Sequence, residues 1–341
     1  MAYSKIERAG VVGAGSWGTA LAQVLAAKGI PVSLWAREPE VARSINAEHQ
    51  NPCFLRGIPL SENIVAHTEL APVCEGKDLV VMVVPSEWFR QTGQAAAPHI
   101  PEGAALVSAT KGIEVGTRLT MAGILREVVP HVPEGNVCAL SGPSFAREVA
   151  MGLPTVVTVA TKDQEVAKAV QQAFAAPTFR VYTNDDLLGV ELGGAVKNVM
   201  AIASGITDGL CLGANTRAAL ITRGLAEIRR LGVALGAKPR TFTGLAGVGD
   251  LVLTCTTDQS RNYSVGFKIG RGQKLAEILS EMKMVAEGVR NARSVYNLAQ
   301  SAGVEMPIVT ETYRVLYEDL DPREALFNLM TRRLRPELDE V

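Results

Sequence analysis

The 341-residue chain carries 34 Lys and Arg against 35 Asp and Glu, a formal net charge of −1, and 47% of its residues are hydrophobic. This composition excludes a disordered chain and gives no electrostatic support to a nucleic-acid or membrane-surface role. At roughly 150 residues per domain the length allows about two domains.

The longest purely apolar run, Leu79 to Val84, falls far short of the ~20 residues of a membrane helix, so no membrane span is expected. The first nine residues hold Lys5, Glu7 and Arg8 and no apolar signal region, which points to a cytoplasmic protein. The five cysteines are scattered, without a Cys-x-x-Cys pair. That pattern reads as reduced thiols rather than a disulfide framework or zinc site. No histidine lies after His131. A metal site is therefore not expected, and the second half of the chain cannot supply a histidine base.

In chain order, Ala9–Val12 reads as a short buried strand, 19–28 as a helix ended by Gly29, and Val32–Trp35 as a second strand. The segments 79–84, 105–108, 137–140 and 155–161 are apolar and rich in β-branched residues, the mark of strands buried on both faces. Strands alternating with helical stretches predict a mostly parallel sheet with crossover helices, an α/β Rossmann-type domain over residues 1–187. After residue 187 the strand pattern stops. Helical periodicity recurs over 187–206, 218–235, 275–282, 285–302 and 310–317, predicting an all-helical C-terminal domain over 188–341.

Gly13-Ala14-Gly15-Ser16-Trp17-Gly18 follows the first strand and opens the first helix. In that setting Gly13 serves the tight turn, Gly15 the approach of a pyrophosphate, and Gly18 close helix–strand packing. The helix N-terminus then presents free N–H groups to the anion. The second strand ends in Trp35-Ala36-Arg37-Glu38. An NAD-selective site places an acid at this tip, and a cation there suits the 2′-phosphate of NADP. Arg37 is such a cation; a solvated pair with Glu38 is the other reading.

Four clusters carry polar groups in apolar or Gly-rich company. Lys111 follows the strand 105–108, where α/β sheets bind ligands. Ser141-Gly142-Pro143-Ser144 follows another strand and can hold an anion or cap a helix. Lys197 sits between Val196 and Asn198-Val199 in a long apolar helix. There it either snorkels to solvent or is buried with a lowered pKa suited to proton transfer. Three glycines precede Asp250, and Ser260-Arg261-Asn262 is either a compact donor set for a phosphate or a helix N-cap with an exposed arginine.

Order and spacing of these motifs resemble the bacterial-type NAD(P)-dependent glycerol-3-phosphate dehydrogenases from Gly13 to Pro307. The resemblance rests on the Gly13–Gly18 loop, on residues 109–114, on Ser141 to Ala146 and on Lys197-Asn198-Val199. Gly244 to Asp250 with Thr254-Cys255, Ser260-Arg261-Asn262 and Val285 to Val289 complete it. One departure is the loop around 54–61, where the family usually has proline at the positions of Arg56 and Ser61.

The resemblance implies interconversion of dihydroxyacetone phosphate and sn-glycerol 3-phosphate, which feeds phospholipid synthesis, with NADP or NAD as cofactor. It implies Lys197 as proton donor and acceptor. It implies a substrate site of Lys111, Gly142, Ser144, Lys197, Asp250, Ser260, Arg261 and Asn262. Beside the glycines of the loop it implies cofactor contacts from Ser16, Trp17, Arg37, Lys111, Ala146, Arg261, Val285 and Glu287. A homodimer is the expected assembly, and Arg37 favours NADPH over NADH. Two other readings compete: a related reductase of a small hydroxy acid such as ketopantoate, and a dinucleotide-binding sensor without turnover.

Overall fold

The computed structural model describes residues 3, 5–282, 286–334 and 336–337. Two compact units divide it: Met1–Thr110 with Leu119–Leu187, and Lys111–Arg118 with Leu188–Val341.

The first unit is built on ten strands: β1 (Ala9–Val12), β2 (Val32–Trp35), β3 (Gln50–Asn51), β4 (Leu55–Pro59), β5 (Ile64–His67), β6 (Leu79–Met82), β7 (Ala105–Ser108), β8 (Val137–Ser141), β9 (Thr155–Ala160) and β10 (Phe179–Asn184). Eight of them form one sheet in the order β10-β9-β8-β7-β6-β1-β2-β5. Pairings are parallel from β5 through β8; β9 meets β8 antiparallel and pairs parallel with β10. Strands β1, β6, β7 and β8 are buried along their whole length. Helices on both faces exclude water from them, which is why they read as unbroken apolar runs.

The helices of this unit are α1 (Ser16–Ala27), α2 (Pro39–Glu48), α3 (Ala71–Cys74), α4 (Phe89–Ala96), α5 (Met121–Val128), α6 (Ala146–Ala150) and α7 (Gln164–Phe174). Helix α1 starts three residues earlier than its apolar periodicity indicates, because Ser16 to Gly18 of the glycine loop already form its first turn. The segment 54–61, read as a loop, contains β4, which pairs antiparallel with the two-residue β3. The edge strand β5 alternates buried Ile64 and Ala66 with exposed Val65 and half-buried His67, a period-two pattern too short to stand out in sequence. At the other edge β10 alternates in the same way.

In the second unit follow α8 (Leu187–Gly209), α9 (Gly213–Ala234), α10 (Asp250–Cys255), α11 (Arg261–Gly270), α12 (Leu275–Glu281), α13 (Glu287–Ser301), α14 (Pro307–Tyr317) and α15 (Pro322–Met330). Residues 189–207 of α8 are all buried, as expected of a helix apolar on every side. By length and composition this helix could cross a membrane, but 89% of its most apolar window is buried inside the protein. Its partners come close: a Cβ at Gly193 would stand 2.4 Å from the carbonyl oxygen of Ala246. That contact sets the 245–249 turn, and α10 directly after it, against the middle of α8. Ile113, from the segment 111–118, packs into the same apolar core as Leu192, Val196 and Val199.

Candidate active site

The glycine loop of the first unit has three different local demands. Gly13 takes φ +126°, open to glycine and strained for other residues, and a Cβ there would stand 2.7 Å from the Val83 carbonyl oxygen. A Cβ at Gly18 would stand 1.9 Å from the Gly13 carbonyl oxygen, so α1 can close on β1 only with glycine there. A Cβ at Gly15 would meet nothing within 4 Å. The backbone over Gly15 thus faces open space at the N-terminus of α1, where a pyrophosphate is favoured by the helix dipole.

Five buried polar side-chain atoms of this unit have no hydrogen-bond partner among the described residues: Trp17 Nε1, Ser44 Oγ, His49 Nδ1, Arg126 Nε and Ser141 Oγ. Buried donors of this kind are rare without a ligand to satisfy them. Trp17, in the first turn of α1, and Ser141, at the end of β8, join the open space over Gly15 as features that fit a bound dinucleotide.

This geometry separates two variants. Gly15→Ala is expected to fold with wild-type stability and to weaken NADH binding. Gly18→Ala is expected to lose about 1–3 kcal/mol of stability, the usual cost of forcing extra volume into a packed contact. Chemical denaturation and equilibrium NADH titration of both proteins check this.

Arg37 donates to Glu38 Oε1 from Nε at 3.0 Å and from Nη2 at 2.8 Å. Its side chain is 70% exposed, so of the two sequence readings of this tip the solvated pair at the end of β2 is the one present. Gly142 takes φ +143°, and its Cβ would stand 3.0 Å from Val157 Cα. Ser144 Oγ donates to the Gly142 carbonyl at 3.0 Å, folding the turn on itself. Ala146 is the first residue of α6.

The chemistry-bearing groups of the second unit converge on Asp250, which is 1% exposed. One carboxylate oxygen, Oδ2, accepts from Lys111 Nζ at 2.6 Å; the other, Oδ1, accepts from Lys197 Nζ at 2.5 Å. Lys197 also donates to Thr254 Oγ1 at 2.6 Å. Thr254 in turn donates to the Asp250 carbonyl at 2.6 Å, one helical turn back on α10. Lys197 is therefore buried and held in place, and the snorkelling alternative does not apply. An ammonium carries three N–H donors. Asp250 and Thr254 take two, and the third has no hydrogen-bond partner among the described residues.

Burial pulls the Lys197 pKa down to about 8; Asp250 opposes the fall and Lys111 adds to it. Burial by itself raises the Asp250 carboxyl, but Lys111 and Lys197 with their hydrogen bonds outweigh it and hold the group below its ordinary value. The result is a carboxylate charged at all working pH values, clamping a lysine that can exchange a proton near neutrality.

The neighbouring residue on α8 anchors a second set. Asn262 Nδ2 donates to Asn198 Oδ1 at 3.0 Å, and Asn262 Oδ1 accepts from Gly288 N at 2.9 Å. The Lys197-Asn198 pair thus connects the lysine–aspartate cluster on one side to α11 and α13 on the other. Ser260 is the N-cap of α11, its oxygen accepting from Tyr263 N. Arg261 is the exposed first residue of that helix. It feels the charge of Glu287, the first residue of α13. Val285, also expected at the cofactor, lies outside the described residues.

Thr254 and Asn198 were absent from the expected site although both stand in the quoted motifs. The i, i+4 spacing of Asp250 and Thr254 is the signal that finds the first. Among the described residues no group of three or more His, Cys, Asp or Glu could hold a metal.

Two family models match the chain: the NAD-dependent glycerol-3-phosphate dehydrogenase N-terminus over residues 8–167 and its C-terminus over residues 186–327. A glycerol-3-phosphate dehydrogenase (NAD(P)+) of Geobacter sp. (strain M21) is 55% identical over 331 residues, covering 97% of this chain and 99% of the relative. The crystal structure of glycerol-3-phosphate dehydrogenase from Coxiella burnetii superposes with a TM-score of 0.91 at 43% identity, covering 96% of this chain and 99% of that one. A ketopantoate reductase from Ralstonia eutropha reaches a TM-score of 0.61 at 18% identity, a likeness of fold alone. Both halves of the chain, matched along nearly their whole length, belong to the NAD-dependent glycerol-3-phosphate dehydrogenase family, and the protein is an NAD(P)-dependent oxidoreductase.

Proposed function

We propose that this protein reduces dihydroxyacetone phosphate to sn-glycerol 3-phosphate, with Lys197 as the proton donor. The observation that carries the reading is the buried Lys197, clamped by Asp250 and Thr254 with its third N–H left over. In the first unit, Gly13, Gly15, Gly18, Ser16, Trp17, Arg37 and Ala146 would hold the dinucleotide. When bound, NAD(P)H supplies a hydride to the substrate's carbonyl carbon.

The chain's own residues do the rest. As charge builds on the carbonyl oxygen, the free N–H of Lys197 is placed to donate to it and then to give up its proton. Lys111, tied to the same carboxylate, adds positive charge that stabilises the developing alkoxide. Asp250 keeps Lys197 protonated despite its burial and fixes where its nitrogen lies. In the reverse direction the neutral amine of Lys197 takes the proton from the alcohol.

For the substrate phosphate the expected donors are the Ser260 O–H, the Arg261 guanidinium and the remaining Nδ2 proton of Asn262. Arg261 supplies a charge-assisted fork that a lysine cannot copy. Gly142 and Ser144, Lys111 toward the cofactor, and Glu287 remain in the set of proposed contacts. We also propose a homodimer working in the cytoplasm, and sedimentation of the purified protein measures the first of these.

Turnover separates this reading from its competitors. Purified protein is expected to oxidise NAD(P)H with dihydroxyacetone phosphate and to leave ketopantoate untouched. Preference for ketopantoate, or cofactor binding without oxidation by either ketone, overturns it.

Arg37 supports a preference for NADPH. Its exposed pair with Glu38 is worth only ~0.2–1 kcal/mol, so a phosphate dianion can displace the carboxylate. Glu38→Gln is therefore expected to raise the NADPH-to-NADH ratio of kcat/KM about two- to fivefold, and Arg37→Ala to lower it. Steady-state kinetics with both cofactors checks the two variants.

A further inference from the structure

The sheet edge beside Arg37 carries a groove that the expected site does not use. It has a volume of about 350 Å³ and is lined from α2 by Pro39 and Arg43 and from the end of β5 by His67, Thr68 and Glu69. Strand register fixes its place. His67 lies opposite Trp35, and the Trp35 indole N–H donates to the Thr68 carbonyl at 2.8 Å. The groove therefore opens at the carboxyl ends of β2 and β5, two residues from Arg37. This is the end of a doubly wound sheet where nucleotides bind and where the ribose 2′-position is read.

Arg43 stands one helical turn above Pro39, the first residue of α2. Helical side chains slant back toward the N-terminus, so the long Arg43 side chain leans toward the β2 tip. It is exposed and makes no hydrogen bond or ion pair with another described residue, whereas Arg37 is paired with Glu38. Burial and the nearby Lys77 hold the His67 imidazole below its ordinary pKa, so it is neutral at pH 7. Glu69 is the one acid lining the groove, and it is exposed.

We propose that Arg43 is a second cation reading the 2′-phosphate of NADP, standing across the groove from an opposing Glu69. This rests on the reading of the first unit as the dinucleotide site. Arg37 and Arg43 together then offer two guanidinium groups to a dianion, and Glu69 sets a limit on how strongly NADP is preferred.

The test is equilibrium binding of two probes, 2′,5′-ADP and 5′-ADP, by calorimetry. Arg43→Ala is expected to weaken 2′,5′-ADP about two- to fivefold with 5′-ADP unchanged, the range for one exposed charge contact. Arg43→Lys is expected to lose less. Glu69→Gln is expected to tighten 2′,5′-ADP alone. Because Arg43 and Glu69 are both exposed, the opposite signs cannot arise from misfolding. Wild-type protein that binds both probes, with variants that shift neither or shift both equally, overturns the role of Arg43 and leaves the dinucleotide site standing. Wild-type protein that binds neither probe overturns both.

Discussion

Lys197→Met is expected to lower kcat for dihydroxyacetone phosphate reduction by about 10²-fold or more, the usual worth of a positioned proton donor. Methionine matches the length of the lysine stem and suits the apolar wall of α8, so the change removes charge and proton rather than packing. Thr254 then loses its donor but keeps its bond to the Asp250 carbonyl, and Asp250 keeps Lys111. None of the proposed NADPH contacts is Lys197, so the cofactor is expected to retain near-normal affinity. A kcat within a few-fold of wild type, with NADPH affinity intact, contradicts the assigned role.

Asp250→Asn is expected to be as damaging and to fail differently. The carboxylate is shared by two ammonium groups, and removing one side of a buried ion pair typically costs 3–5 kcal/mol. Lys197 can escape part of that cost by shedding its proton, since Asp250 is what opposes the fall of its pKa. The variant is therefore expected to have lower thermal stability and a kcat reduced by about 10²-fold or more. Its residual activity is expected to decline at a lower pH than in the wild type. The pH displacement separates loss of charge support from simple structural damage. A variant with low activity and an unshifted profile indicates that Asp250 does not tune Lys197.

Much of this was legible in the residues, for identifiable reasons. Strands β1 and β7 stand where their apolar runs place them because both sheet faces are buried and the pattern is uninterrupted. Edge strands β5 and β10 were missed because each has one solvated face and only a few residues to show it. The π-helical turn 245–249 could not be read either. Three glycines in the six residues 244–249 permit many backbones, and α8 selects this one through the close approach of Gly193. In the site, residue types pointed to Lys111, Lys197 and Asp250, while their convergence did not follow from composition or spacing. Lys111 and Asp250 are separated by 139 positions, and only the packing of the second unit joins them. For Asn262 the sequence suggested a ligand donor; the fold shows that the same amide also ties α8, α11 and α13 together.

The claim that Lys197 exchanges the proton is tested most directly by the pH dependence of kcat/KM in both directions between pH 7 and 10. The substrate phosphate, with its second pKa near 6, is already dianionic over that range. Reduction needs the protonated amine, so its kcat/KM is expected to hold up to about pH 8, the Lys197 value, and then to fall about tenfold per pH unit. Oxidation of glycerol 3-phosphate needs the neutral amine, so its kcat/KM is expected to rise through the same region and level off above it. Lys197→Met is expected to lose both limbs. A reduction profile flat to pH 10, or one whose bend survives in Lys197→Met, would contradict the account.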